Sequence, residues 1–114
     1  MKKVVWLGNS RARMRALPKE VTARLGKSLR NVQAGLRPAD WKPFSEVGLG
    51  VIEVRVHTPS EFRLFYTANF PEAISVLHVF EKKSQKTDKR DITIARERYA
   101  QLQQIRQEDQ EKGR

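Results

Sequence analysis

Two neighbouring runs of alternating residues constrain this chain most. Ile52, Val54 and Val56 recur at every second position in one, and Phe62, Leu64 and Tyr66 do so in the other. A period of two belongs to a strand with one face turned to a core. Thr58-Pro59-Ser60 lies between them as a turn signal. The spacing predicts an antiparallel hairpin of Val51–His57 with Glu61–Ala68, Val54 opposite Leu64, so that both apolar sets share a face. The same register sets Arg55 across from Arg63 and His57 across from Glu61. A third strand-like run, Ala73–Lys82, follows Asn69-Phe70-Pro71-Glu72 and completes a meander.

Upstream, Lys2–Leu7 reads as a short strand of β-branched and aromatic residues. Asn9 or Ser10 is placed to cap a short helix that stops before Pro18. Pro18 suits the first turn of a second helix, on which Val21, Leu25, Leu29 and Val32 form one apolar stripe. Gly35 ends it. The two helices form an α-hairpin with an apolar inner face and a basic outer face. Leu36 to Gly50 reads as a loop pinned to the core by Trp41 and Phe44. Thr87 or Asp88 begins a last helix with Ile92, Ala95, Tyr99 and Leu102 along one side. Strand, two helices, three strands and a helix imply an α+β fold with one packed layer of helices on a mainly antiparallel sheet. Residues 1–105 form a single domain, and the polar tail 106–114 is expected to fray.

Composition narrows the function. The chain has 114 residues, 39% hydrophobic and 32% charged, which suits one globular domain. It has no cysteine, which excludes disulfides and thiol chemistry. The N-terminal apolar run is too short for a signal peptide or a membrane span, so the expected compartment is the cytoplasm. The formal net charge is +10. Residues 1–40 carry ten Lys and Arg against two Asp and Glu, whereas 41–87 carry six against five and 88–114 seven against six. An excess gathered in the first third points to a polyanionic partner rather than a uniformly basic surface.

The facing pair Arg55 and Arg63 would repel unless something anionic sits between them. Either a phosphate does so, or each arginine pairs with Glu53, Glu61 or a carboxylate of the last helix. The run Phe80-Glu81-Lys82-Lys83-Ser84-Gln85-Lys86 puts three lysines at a strand exit. They either hold an RNA backbone and stabilise a phosphorane, or form a solvated edge that deters strand pairing. His78 shares strand parity with Ile74 and Val76, which favours a satisfied core residue over a catalyst. His57 is more exposed, with Glu61 as its partner, and either histidine has the chemistry of a general acid or base. Trp6 and Trp41 read as core, while Phe65 and Phe80 read as rings on the open face, available to stack on bases. No metal-ligand spacing and no Gly-rich phosphate loop is present.

Glu53-Val54-Arg55, Phe62-Arg63-Leu64-Phe65-Tyr66 and Val76 through Thr87 together resemble the core of the phage-derived, HigB-like branch of the RelE/ParE toxin superfamily. Leu17-Pro18 and the helix after it are also similar, and the resemblance covers about residues 3–105. It implies a β-α-α-β-β-β-α fold. It also implies cofactor-free, metal-independent cleavage of messenger RNA in the ribosome's decoding site, by attack of a 2′-OH on the adjacent phosphate. Arg63 matches the family's phosphate-binding arginine, Lys82 or Lys83 its second cation, and Arg55 the arginine ending the preceding strand. The resemblance assigns contacts with ribosomal RNA to the basic hairpin, namely Arg11, Arg13, Arg15, Arg24, Lys27 and Arg30. Lys86 and Phe80 complete the RNA-binding set. Glu53 stands where RelE has a lysine, and no tyrosine follows the lysine run, so His57, His78 or a lysine would move the protons. The implied partner is a helix-turn-helix antitoxin. A gyrase-poisoning toxin of the ParE kind would lack the cationic cluster, and a non-catalytic RNA-binding module would bind RNA and leave it intact.

Overall fold

The hairpin forms in the expected register. In the computed structural model, which describes residues 1–112, Val54 pairs with Leu64, Arg55 with Arg63 and His57 with Glu61. The elements run β1 (Lys3–Trp6), α1 (Ser10–Ala16), α2 (Lys19–Gln33), β2 (Trp41–Pro43), β3 (Val51–His57), β4 (Glu61–Thr67), β5 (Ala73–Lys82) and α3 (Lys89–Lys112). One five-stranded sheet has the order β1-β5-β4-β3-β2. Among the described residues only β1 is parallel to its neighbour, β5, and it takes an edge position. The fold class is α+β.

The α2 stripe does what its spacing implies. Val21, Leu25 and Leu29 are buried with Val54, Val56, Phe62, Leu64 and Tyr66, and Met14 of α1 joins the same cluster. The helix closes on a two-bond reversal, with the Leu36 N–H donating to the Asn31 carbonyl and the Gly35 N–H to that of Val32. Gly35 takes φ +83° there, a backbone state open to glycine at little cost.

Three expectations change. The 36–50 segment is not all loop, because Trp41–Pro43 forms a short edge strand on β3. Pro43 is tolerated there because an edge strand leaves one side unpaired. Trp41 remains half-buried beneath the Arg37 guanidinium, 4.7 Å from its ring centre, while Phe44 does reach the core.

The second change concerns layers. The helices do not all lie on one side of the sheet. Ala95 and Leu102 of α3 bury Val51, Phe65, Leu77 and Phe80, a second core on the other face, with Ile92 and Tyr99 packed at its margin. Phe65 and Phe80 therefore do not face solvent and cannot stack on bases, since both rings are buried beneath α3.

The third is a slip of register. Phe65 pairs with His78 but Tyr66 pairs with Val76, so Leu77 is an extra residue in β5. Ile74, Val76 and Val79 stay in the α2 core, while Leu77 and Phe80 join the α3 core. His78 loses the parity of Ile74 and Val76 and meets α3, where it is fully buried against Asp91. Of the tail expected to fray, residues 106–112 continue α3, mostly exposed, and 113–114 lie outside the described residues.

Candidate nucleic-acid interface

The sheet face beneath α3 changes character along its strands. Val51 and Phe65 are apolar, but the next same-face positions on β3 are Glu53, Arg55 and His57, and on β4 Arg63 and Glu61. These groups form a chain of alternating charge. Arg55 Nε meets Asp40 Oδ1 at 3.2 Å, and Asp40 Oδ2 meets His57 Nε2 at 2.6 Å. His57 Nδ1 meets Glu61 Oε1 at 2.6 Å, and an Arg63 terminal nitrogen donates to the same oxygen at 3.1 Å. Glu53 Oε1 then lies 3.8 Å from both Arg63 Nε and Lys42 Nζ. His57 thus has a carboxylate oxygen beside each ring nitrogen.

The facing arginines are thus held apart by carboxylates, as the second of the two readings had it. Glu61 and Glu53 serve Arg63. The partner of Arg55 is Asp40, in the segment before β2, and not a residue of the last helix. Sequence reasoning missed Asp40, because an isolated acid in an aperiodic segment carries no spacing signal. It also missed Lys42.

Electrostatics follow from burial and partners. The hydrogen bond from His57, then that from Arg63, holds the Glu61 carboxyl below the usual range. Burial pushes Asp40 up, but the His57 bond and the Arg55 charge outweigh it and leave it low. Glu53 is pushed up by burial against the pull of Lys42 and Arg63. Burial pushes His78 down despite its 2.8 Å contact with Asp91.

Arg63 is 4% exposed, yet it lines an open cleft of about 610 Å³ with Ser60, Glu61, Lys82, Lys83 and Ser84. One terminal nitrogen donates to its own strand at the Phe62 carbonyl, and among the described residues its buried Nε has no hydrogen-bond acceptor. Lys82 and Lys83 make no salt bridge among the described residues, nor does Lys86, which sits further along the exposed turn. The cleft therefore joins a pre-oriented guanidinium to two free ammonium groups, an arrangement suited to a phosphate diester.

The remaining residues lie elsewhere. Arg55 lines a smaller groove of about 210 Å³ with Arg24, Lys27 and Asp40, against α2. His57 touches the cleft only through Glu61. His78 is sealed between Phe80, 5.0 Å away in a stacked pose, and α3. Arg11, Arg15 and Arg30 are exposed on α1 and α2, and Arg24 donates to the His57 carbonyl at 3.0 Å. Arg13 is exposed but anchored, its Nε donating to the Val79 carbonyl at 2.7 Å. Among the described residues, no helix is long and apolar enough to cross a membrane.

No curated protein matches the chain. A family described as "Phage derived protein Gp49-like (DUF891)" matches residues 12–100, from α1 into α3 and across the whole cleft. That match covers well over half of the sequence, and the chain belongs to the Gp49-like family of phage-derived proteins.

Proposed function

We propose that this chain is the toxin of a type II toxin–antitoxin pair of the RelE/HigB kind, an endoribonuclease that cuts messenger RNA on the ribosome and so stops translation. The observation that carries the reading is the cleft in which Arg63 meets Lys82 and Lys83. In this reading the 2′-oxygen of one nucleotide forms a bond to the adjacent phosphorus, and the bond to the 5′-oxygen breaks. The 2′-OH proton leaves to a base and the 5′-oxygen gains one. Arg63 and the lysines stabilise the extra charge on the phosphorane. These cations belong to the protein itself and are in place before substrate arrives. Glu61, kept ionised by His57 and Arg63, occupies the guanidinium until a phosphate competes for it. The exposed cations of α1 and α2 face ribosomal RNA, and the reading places the protein in the cytoplasm, under the control of a helix-turn-helix antitoxin.

The test is primer extension on a defined message in purified translating ribosomes. Wild-type protein gives cuts within the decoding-site codon. Arg63→Ala lowers the rate by about 10²–10³, the usual cost of removing one preorganised donor to a developing oxyanion. An intact message with unaffected translation sinks the proposal, and a gyrase supercoiling assay then tests the ParE-like alternative.

A further inference from the structure

The turn that carries Lys82, Lys83 and Ser84 has a cleft on each side. The first is the Arg63 cleft. The second, about 240 Å³, opens between β5, α1 and the start of α3, and shares Glu81, Lys82, Lys83 and Ser84 with the first. It adds Arg13 and Arg90, two cations from elements distant in sequence. Arg13 is oriented by its Nε bond to β5, and its terminal nitrogens make no hydrogen bond among the described residues. Arg90 and Lys83 form no salt bridge among the described residues.

The two α3 carboxylates at this cleft are already engaged. Asp88 caps α3 through the Arg90 N–H at 2.8 Å, and Asp91 holds His78 at 2.8 Å. One short turn carrying Lys82 and Lys83 separates the two clefts, and each sets cations beside carboxylates, with exposed Glu81 shared between them. A flexible single strand can cross such a ridge with a phosphate on each side, whereas a rigid duplex would span it.

We propose that Arg13, Lys83 and Arg90 form a second phosphate subsite, occupied by a phosphate of the same single RNA strand that is held at Arg63. The inference rests on the reading of the Arg63 cleft as an RNA site, and it adds the path of the strand. RNA enters between α1 and the start of α3, crosses Lys82-Lys83-Ser84, and reaches Arg63. Specificity for single strands then arises from the protein's own shape.

The test uses the full chain and a non-cleavable 2′-O-methyl RNA hexamer, with affinity read by fluorescence anisotropy across a salt series. The double variant Arg13→Gln/Arg90→Gln should lower the slope of log affinity against log salt by about 0.7, the value for one lost phosphate contact on a single strand, and each single variant should lower it by part of that. Arg90 makes no side-chain bond among the described residues, so its variant controls for any effect of Arg13→Gln on folding. Neutral methylphosphonate linkages are then placed one at a time along the hexamer. Two linkages should matter in wild type. One of them should become silent in Arg13→Gln and the other in Arg63→Gln. Unchanged slopes in both Arg13→Gln and Arg90→Gln, no binding at low salt, or a single sensitive linkage would each overturn the proposal. Ribosomal cleavage with unchanged slopes would remove the subsite and leave the nuclease. The two-linkage pattern on a protein that cuts nothing would do the reverse.

Discussion

His78 shows how one extra residue changes a side chain's role. Its position in an apolar run marks it as buried, and it is buried, but the bulge at Leu77 turns it from the α2 core to α3. There the neutral ring donates from Nε2 to Asp91, and Nδ1 faces an Arg98 nitrogen at 3.4 Å. Burial lowers its pKa in the folded state, so between that value and about 6.5 the unfolded chain binds the extra proton. Its contribution to stability is full above pH 6.5 and is lost as pH falls through the folded pKa. The urea midpoint of wild type should therefore drop from pH 7.5 to pH 5.5 by more than that of His78→Gln. Equal drops would show that His78 does not carry this dependence. Glu53 works in the opposite sense, since its raised pKa makes the charged form progressively costly as pH rises above its ordinary 4.5. Arg55 and Arg63 were legible as a facing pair because strand register is arithmetic. Their carboxylate partners were only half legible, because Asp40 comes from a segment without periodicity.

At the scale of elements, α3 decides the most. Its apolar stripe was readable in Ile92, Ala95, Tyr99 and Leu102, but which sheet face it covers was not. Phe65 and Phe80 look the same in sequence whether they face RNA or a helix. Several bonds fix α3 in place. Asp88 caps its start, Arg98 donates to the Leu77 carbonyl at 2.9 Å and to Asn9 Oδ1, and Arg106 reaches Glu72 at 2.7 Å. Asn9, expected as a possible cap of α1, makes no side-chain cap there and instead accepts from Arg98. Gly8, at φ +53°, leaves room for that guanidinium, which a Cβ would meet at 2.5 Å. Asp88→Ala should cost about 1 kcal/mol in chemical denaturation, the usual value of an N-cap. A loss within about 0.2 kcal/mol would mean that tertiary contacts alone set where α3 begins.

Across the whole molecule, the charge excess of the first third is presented by exposed side chains of α1 and α2. Arg24 and Lys27 border the Arg55 groove, and Arg13 borders the second cleft, so basic surface flanks the site on two sides. Under the proposed ribosome-dependent function, replacing Arg24, Lys27 and Arg30 together with glutamine should weaken ribosome binding and flatten its salt dependence by about 0.7–0.9 per lost contact. An unchanged slope in sedimentation binding would show that these three residues do not carry the proposed ribosome contact. The amino-acid sequence by itself determined the α+β class, the hairpin register, the α2 stripe and the cationic character, because period and charge are local properties of a chain. Only the tertiary structure decided the β2 edge strand, the bulge, the face that α3 covers and the separation of Arg63 with its lysines from Arg55, His57 and His78. Each of these depends on which surfaces meet across long stretches of chain, and the energy of such meetings is shared among residues whose spacing along the sequence carries no common period.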